Sequence, residues 1–324
     1  MRIVVVGGTG HVGSFLVPRL VRSGHEVVSL SRGSREPYVV DPAWQQVTRV
    51  VADRDAEDAA GTFAGRLRDL DPDVVVDLVC FTVESATQLV EGLRGHVDHL
   101  VHCGSIWMHG PSDRLPITEE DGTPPVGEYG TAKAAIARLL TEETAAGGLV
   151  TTSLHPGHIS GPGWPVINPL GNLDPQVWRT LAAGEPLAVP GLGTELMHHV
   201  HADDVAQAFS LAVEHRGQAT GQAFNVTAAS ALTVRGYAQR AARWFGRDAD
   251  LRSVSWEEFR QQTGEEHAST SWEHLWRSQY ASIDKARRLL GYAPAFLPDE
   301  AAEQAVRWQV AHGELDLPAD LVSR

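Results

Sequence analysis

Tyr129 and Lys133 are the residues whose types and spacing are best suited to chemistry. They lie four positions apart in "YGTAK", at the start of an Ala-rich stretch that predicts a helix. Residues i and i+4 share one face of a helix, so the phenol and the ammonium would be neighbours. A free tyrosine has a pKa of about 10, and a nearby cation lowers it. The pair is compatible with a proton-transferring tyrosine, although the same spacing also occurs in helices without that role.

A glycine motif near the amino terminus predicts what such a tyrosine would work with. "RIVVVGGTGHVG" places Gly7, Gly10 and Gly13 directly after a predicted strand and at the start of a predicted helix. Glycine permits the tight turn and lets backbone N–H groups approach a pyrophosphate. We therefore predict a dinucleotide site that includes these glycines together with His11 and Val12.

The end of the second predicted strand bears on which dinucleotide binds. NAD sites usually carry Asp or Glu there, whereas "SLSRGSR" has Ser31, followed by Arg32 and Arg35. Guanidinium groups can bind a ribose 2′-phosphate that a carboxylate would repel. NADPH is the favoured cofactor and NADH the alternative, since the arginines would also suit a solvated loop. Asp53, after the third strand, is expected near the adenine, although it could simply end that strand.

The first half of the chain alternates apolar runs with amphipathic segments. Such alternation predicts a doubly wound α/β Rossmann fold, with a parallel sheet whose strands are buried on both faces. The predicted strands are 2–7, 25–31, 46–53, 73–81, 98–105 and 149–156, and the predicted helices are 11–23, 61–70, 83–95 and 129–146.

The second half predicts a smaller, mostly helical substrate lobe. From Pro156 the sequence becomes rich in Pro and Gly, and the tail contains several tryptophans. We assign residues 1–155, with 199–227 returning to them, to the dinucleotide-binding domain. Residues 156–198 and 228–324 are assigned to the substrate-binding lobe.

Composition argues against several classes of partner. The 324 residues carry a formal net charge of −14 and lack a long run of Lys or Arg, which argues against nucleic-acid and membrane partners. Cys80 and Cys103 end apolar runs and are expected to be buried, reduced thiols. No signal peptide or spanning segment is evident, so a cytoplasmic location is expected.

Taken together, the glycine motif, "YGTAK" and a serine after the fifth strand resemble the extended branch of the short-chain dehydrogenase/reductase superfamily (NAD(P)-dependent epimerase/dehydratase-like). "HPGHISGPG", "VHADDVAQAF" and "IDKARRLLGYAP" are similar to later segments of that branch. The resemblance implies that Ser105, Tyr129 and Lys133 are catalytic. It also implies that Tyr129, Lys133, His155 and His158 contact the cofactor.

Departures from the family pattern narrow the chemistry. Ile106 and Trp107 stand where dehydratases of this branch carry an acidic pair, which argues against elimination of water. Met197 stands where nucleotide-sugar epimerases commonly carry a basic residue that meets the diphosphate. The usual Asn and Tyr of two further motifs are replaced by His158 and His109.

Aromatic and histidine side chains are the candidates for a substrate pocket. Their apolar members suit a partly hydrophobic carbonyl compound, although core packing would explain each of them equally well. The predicted set is Trp107, Met108, His109, His158, Trp164 and His199. His198, His199 and His201 could suggest a metal site, but no Cys or carboxylate completes a ligand set with them, so no metal is predicted.

We therefore expect an NADPH-dependent ketone reductase, or alcohol dehydrogenase, that acts on a small molecule, with Tyr129 as proton donor or acceptor. A sugar or nucleotide-sugar epimerase is the alternative, and a dinucleotide-sensing or RNA-associated regulator is a second alternative. By analogy with relatives, the helices predicted at 83–95 and 129–146 would form a homodimer interface.

Overall fold

The computed structural model of the chain describes residues 1–121 and 123–317, so residues 318–324 of the predicted substrate lobe lie outside the described part. The strands are β1 (Arg2–Val6), β2 (Glu26–Ser31), β3 (Thr48–Val51), β4 (Val74–Asp77), β5 (His99–Cys103), β6 (Thr151–Pro156), β7 (His158–Ser160), β8 (Leu187–Pro190), β9 (Leu196–Met197), β10 (His199–His201), β11 (Ala223–Val226), β12 (Leu232–Thr233) and β13 (Leu251–Val254). The helices are α1 (Gly13–Arg22), α2 (Arg54–Ala59), α3 (Phe63–Asp69), α4 (Val83–Leu93), α5 (Gly127–Ala145), α6 (Pro175–Ala183), α7 (Ala202–Glu214), α8 (Arg216–Ala219), α9 (Val234–Trp244), α10 (Trp256–Thr263), α11 (Glu265–Leu275), α12 (Asp284–Leu290) and α13 (Pro298–Ala311).

Seven parallel strands form the central sheet, in the order β11-β6-β5-β4-β1-β2-β3. Helices α1 and α7 contribute buried residues to the core on one face, whereas α3, α4 and α5 contribute to the core on the other. The middle strands are buried on both faces, which explains their nearly continuous Val and Leu runs. The prediction of a doubly wound Rossmann sheet is confirmed.

Strand β3 corrects one detail of that prediction. The segment 46–53 was expected to form a strand buried on both faces, yet Thr48, Arg49 and Val51 are exposed. Because β3 pairs only with β2 in this sheet, it lies at the edge, where one side of the strand faces solvent. A short apolar run does not reveal whether a strand lies at the centre or at the edge of a sheet.

A separate core lies under the segments assigned to the substrate lobe. Its buried residues come from positions 166–197, 232–275 and 302–315, and they include Trp178, Tyr237 and Phe259. Helices α6, α9, α10, α11 and α13 supply most of them, as expected for a mostly helical lobe. Among the described residues, no helix has both the length and the apolar composition needed to cross a bilayer.

The carboxyl ends of the parallel strands bring the predicted site residues to one edge of the sheet. Gly7 follows β1, Ser31 ends β2, Asp53 follows β3, and Ser105 follows β5. From β1 the chain adds β2 and β3 on one side, and from β4 onward it adds strands on the other side. The connections after β1 and β4 therefore lead away from each other, which leaves a crevice between them at this edge. Open α/β sheets bind ligands in such crevices.

Candidate active site

The glycine loop between β1 and α1 forms a cradle that tolerates no larger side chain. Gly7 has a φ of +86°, a conformation that favours glycine, and its N–H donates to the carbonyl of Leu30 at 2.8 Å. A Cβ at Gly13 would lie 2.3 Å from the carbonyl oxygen of Gly8. Helix α1 begins at Gly13, so its amino end faces the loop, and this arrangement fits the pyrophosphate of a dinucleotide.

A cavity of about 330 Å³ extends from this loop across the ends of β2 and β3. Six of the residues that line it are Gly7, Gly10, Ser31, Arg32, Arg35 and Asp53. These are residues that the sequence assigned to the cofactor, and the fold brings them together. The Asp53 carboxylate also caps α2 by accepting from the N–H groups of Asp55 and Ala56, at 3.1 and 3.3 Å.

Beyond the end of β2, two arginines line this cavity together with the carboxylates Asp53 and Asp55. Arg32 and Arg35 are both exposed on the loop after β2. Arg35 donates a hydrogen bond to the hydroxyl of Tyr38, and its guanidinium lies 5.6 Å from the centre of that ring. The aromatic ring thus restrains one guanidinium at the rim of the cavity.

Ser105 and Tyr129 meet beyond the carboxyl end of β5. Ser105 follows β5 and accepts a hydrogen bond from the N–H of Trp107 at 3.2 Å, which fixes its hydroxyl. Tyr129 lies in the first turn of α5. The pKa of Tyr129 is raised to about 12, chiefly by desolvation and to a smaller extent by Cys103, while a hydrogen bond with Ser105 opposes the rise. The phenol therefore stays protonated at neutral pH.

Lys133 lies between Tyr129 and the cofactor cavity. Its Nζ is 5.7 Å from the centre of the Tyr129 ring and 4.7 Å from that of Phe81, which lines the cavity. The ammonium donates to the carbonyls of Cys80 at 2.7 Å and Cys103 at 2.9 Å. Burial lowers the pKa of Lys133.

Trp107 lies between the ring of Tyr129 and a cluster of histidines. Its ring lies edge-on to Tyr129 at 5.9 Å and to His274 at 5.1 Å. His158 completes the cluster, with ring centres 5.2 Å from His274 and 5.4 Å from His199. We call His158, His199 and His274 the histidine cluster.

Ring nitrogens of the histidine cluster are buried without a partner among the described residues. Both nitrogens of His158 and Nε2 of His199 have no hydrogen bond, whereas His199 Nδ1 pairs with Ser160 Oγ at 2.7 Å. Burial lowers the pKa of His158 well below its ordinary value and that of His199 to about 3, so both rings are neutral. A buried polar atom without a partner costs about 1–3 kcal/mol, so these atoms are suited to a polar ligand or to water.

Several predicted site residues lie elsewhere than expected. Trp164, assigned to the substrate, lines the cofactor cavity, where it stacks on His11. His155, assigned to the cofactor, is fully buried beside Gly104, and neither of its ring nitrogens has a partner among the described residues, so its contact with the cofactor stays a prediction. His109, assigned to the substrate, is buried and pairs with Asn225 at 3.1 Å.

Two other predicted site residues, Val12 and Met108, are only partly available to a ligand. The side chain of Val12 packs into the core beneath the sheet, so only its backbone, at the amino end of α1, can contribute to the cradle. Met108 ends a short 3₁₀ helix at Ile106–Met108 and is half-buried. It lies next to Trp107 along the chain, near the predicted substrate side.

Sequence reasoning missed residues that reach the site from distant segments. Arg277 places its guanidinium 4.0 Å from the centre of the Trp107 ring and donates to the carbonyl of Val126 at 3.1 Å. His274 reaches the histidine cluster from α11. The region 252–280 contains no local motif that would have singled out either residue.

A second buried cluster lies beneath Lys133 and has ligand-type atoms. Asp77, Cys80 and His102 place one such atom each within 4.8 Å of one another. Arg54 already donates to Asp77 at 2.5 Å, and burial raises the pKa of the Cys80 thiol to about 11. The Arg54 guanidinium thus already neutralises the charge of the Asp77 carboxylate, and we assign no metal to this cluster.

Comparison with known proteins adds relatives with several activities. The chain is 27% identical to the chloroplast stem-loop binding protein of 41 kDa b from Arabidopsis thaliana, over 99% of this chain and 82% of that protein. It is 29% identical to 2'-dehydrokanamycin reductase from Streptomyces kanamyceticus, over 65% of this chain and 57% of that protein. Among solved structures, UDP-glucose 4-epimerase from Thermotoga maritima superposes with a TM-score of 0.72 at 19% identity, covering 97% of this chain and all of that one.

The family itself is shown by a match over most of the chain. A model of the NAD-dependent epimerase/dehydratase family matches residues 3–227, which include the glycine loop, Ser105, Tyr129 and Lys133. This confirms the resemblance to the extended short-chain dehydrogenase/reductases and indicates an NAD(P)-dependent enzyme of epimerase, dehydratase or reductase type. The chain therefore belongs to the NAD-dependent epimerase/dehydratase family.

Proposed function

We propose that this chain is an NADPH-dependent reductase of a ketone that also carries hydroxyl groups. The observation that carries the proposal is that Lys133 Nζ lies 5.7 Å from the centre of the Tyr129 ring and 4.7 Å from that of Phe81, and that Phe81 lines a cavity which also holds Arg32 and Arg35. Two guanidinium groups suit a 2′-phosphate, which distinguishes NADPH from NADH. The glycine loop accommodates the pyrophosphate common to both cofactors.

The protonation state of Tyr129 supports reduction as the favoured direction. A bound reduced nicotinamide supplies a hydride to the carbonyl carbon. Ser105 donates a hydrogen bond to the carbonyl oxygen, and Tyr129 gives its proton to that oxygen as the C=O bond becomes a C–O–H group. With a pKa of about 12, the phenol holds the required proton at neutral pH. Lys133 is close enough to stabilise the phenolate that remains.

The surroundings of Trp107 support a substrate with both apolar and hydroxyl surface. The indole offers an aromatic wall next to Tyr129, as a partly hydrophobic substrate requires. The histidine cluster behind it offers unpartnered neutral nitrogens, which can accept from or donate to hydroxyl groups. Because neutral imidazoles carry no charge, they suit hydroxyls better than a phosphate or a carboxylate. Dehydration is not supported, since Ile106 and Trp107 occupy the positions of the expected acids.

Epimerisation is the second candidate, and membership of this family favours it. It would use the same Tyr129, with the hydride returned to the opposite face of a transient ketone. Met197, which is fully buried, replaces the basic residue expected for a nucleotide diphosphate. A regulator or RNA-associated protein is a weaker third candidate: one relative is named as a stem-loop binding protein, but this chain has a net charge of −14.

The test is net consumption of NADPH by the purified chain with a panel of ketoses and cyclic hydroxyketones. The proposed reductase oxidises NADPH with at least one of them and yields the corresponding alcohol. An epimerase would convert the matching sugars or nucleotide sugars without net consumption of cofactor. If Tyr129→Phe retained the full rate of NADPH oxidation, the assigned mechanism would be wrong.

A further inference from the structure

We propose that Tyr38 and Trp164 belong to the cofactor site, where they retain the bound dinucleotide over the glycine loop and hold Arg35 at its rim. The proposal rests on the proposed function only in taking NADPH as the cofactor. Neither residue lies in the glycine motif or in the catalytic set. Together they form a bridge across the mouth of the groove, which we call the Tyr38–Trp164 bridge.

The bridge joins the loop after β2 to the loop after β7. Trp164, on the loop after β7, donates from Nε1 to the Tyr38 hydroxyl at 3.2 Å. Tyr38, on the loop after β2, accepts a second hydrogen bond from Arg35 through the same hydroxyl. Both Arg35 and Trp164 line the cavity that begins at the glycine loop. The phenol oxygen therefore connects the indole to the guanidinium across the groove.

The bridge is anchored to the cradle itself. The ring of Trp164 stacks on His11, inside the glycine motif, with centres 5.1 Å apart and planes inclined by 30°. The N–H of Tyr38 donates to Ser14 Oγ at 3.0 Å, and Ser14 Oγ donates to the carbonyl of Gly10 at 2.8 Å. Any movement of the bridge is therefore coupled to the loop that would hold the pyrophosphate.

Glycine is required where the Trp164 loop passes the Tyr38 loop. Gly163 has a φ of +113°, and a Cβ there would lie 2.5 Å from Cγ of Tyr38. The close approach places the indole, which is 45% exposed, at the mouth of the cavity rather than in the lobe core. Such partial exposure leaves one face of the ring available to a bound molecule.

Two consequences follow for a bound cofactor. The indole can shield the bound dinucleotide from solvent whether or not a 2′-phosphate is present, so it should slow the release of NADPH and NADH alike. Arg35 has five N–H donors and uses one of its nitrogens on Tyr38, so others remain for a phosphate. Restraint of this guanidinium lowers the entropy lost on binding, which should favour NADPH specifically.

The experiment measures dissociation of NADPH and NADH by stopped-flow displacement with excess NADP⁺, followed by the fluorescence of the reduced nicotinamide. Trp164→Ala should release both cofactors about tenfold faster, and Trp164→Phe about twofold faster, because most of the ring contact is kept. Tyr38→Phe keeps the ring and removes the hydroxyl. It should speed the release of NADPH about three- to tenfold more than the release of NADH. Trp272→Phe is the matched control, since Trp272 is 51% exposed on α11 and does not line the cavity.

Release rates unchanged in both Trp164 variants would overturn the proposal. Equal effects of Tyr38→Phe on the two cofactors would overturn the role assigned to Arg35. These measurements require no turnover, so their outcome is separable from that of the proposed function. A chain that binds NADPH through the bridge but reduces no ketone would refute the reductase alone, whereas a reductase insensitive to Trp164 would refute the bridge alone.

Discussion

The Nζ atom of Lys133 lies 5.7 Å from the centre of the Tyr129 ring while it donates hydrogen bonds to two backbone carbonyls, of Cys80 in the loop after β4 and of Cys103 at the end of β5. The ammonium is thus held by the sheet and not by the phenol. Desolvation and not this buried cation governs the free site, because the pKa of Tyr129 is raised to about 12. Tyr129 is protonated in the resting site and has a cation available when it loses the proton.

Tyr129→Phe should lower kcat for ketone reduction by about 100-fold or more, the usual contribution of a positioned general acid. The measurement is the rate of NADPH oxidation at saturating substrate. Binding of NADPH should change little, because the ring is retained. Tyr280→Phe is the control, since that ring contacts His198 and not the proton-transfer pair. An equal loss of kcat in both variants would point to a structural role for Tyr129.

The pH dependence of reduction should follow the raised pKa of Tyr129. A general acid must be protonated, and a pKa of about 12 keeps the phenol protonated throughout the neutral and mildly alkaline range. We therefore expect kcat for reduction to stay level between about pH 7 and pH 9 and to fall only nearer the pKa. Loss of the Lys133 proton would raise the pKa of Tyr129 further and would not remove the acid. A midpoint of activity near pH 8 would contradict this assignment.

Arg35→Ala should lower the affinity for NADPH by about 10- to 100-fold and leave the affinity for NADH nearly unchanged, because a charge-assisted hydrogen bond to phosphate contributes about 1.5–3 kcal/mol. Ser31→Asp should act in the same direction by placing a carboxylate where the 2′-phosphate would lie. Equilibrium titration with both cofactors measures the two effects. Arg49→Ala is the control, since Arg49 pairs with Glu36 at 2.7 Å and does not line the cavity. Equal weakening of NADH by Arg35→Ala would argue against recognition of the 2′-phosphate.

His158→Leu should raise the free energy of unfolding of the free enzyme while it raises KM for the substrate about tenfold or more. The reason for the first effect is that both ring nitrogens of His158 are buried without partners among the described residues, and Leu removes that cost. The second effect follows if those nitrogens bind substrate hydroxyls. His109→Leu is the contrast, because His109 pairs with Asn225, and its loss should destabilise the fold. Parallel destabilisation by both variants would exclude a ligand-binding role for the His158 nitrogens.

Acid should destabilise the protein through its buried histidines. Burial lowers the pKa of His11, His99 and His198 to about 4, so the unfolded chain binds protons more readily than the folded one. Stability is therefore fully present above the unfolded pKa of about 6.5 and is lost as the pH falls toward 4. Each group contributes a slope of up to about 1.4 kcal/mol per pH unit in that window.

Urea unfolding between pH 4 and pH 7 measures this slope. His99→Gln should make it shallower, since one buried titrating ring is removed. His96→Gln is the control, because His96 follows α4 and its side chain is exposed. Equal slopes in wild type and His99→Gln would show that His99 does not contribute.

The sequence predicted the sheet and the glycine cradle because both depend on local patterns. The Val and Leu runs of β1, β4 and β5 demand burial on two faces, and Gly7 and Gly13 have no alternative residue at their positions. The same reasoning failed for β3, whose exposure follows from the strand order and not from its composition. Nor did it reveal that the ring of His155 is fully buried beside Gly104.

What the sequence determined by itself was the chemistry available at one edge of a parallel sheet: a glycine cradle, a serine, a tyrosine with its lysine, and two arginines after the second strand. Regular strands and helices fix the spacing of such residues, so it could be predicted that these side chains lie at the same edge of the sheet. Only the tertiary structure decided that Trp164 stacks on His11 beside the glycine loop and that His274 joins His158. Those contacts depend on the paths of irregular loops and on the packing of a distant helix, which local residue preferences do not specify.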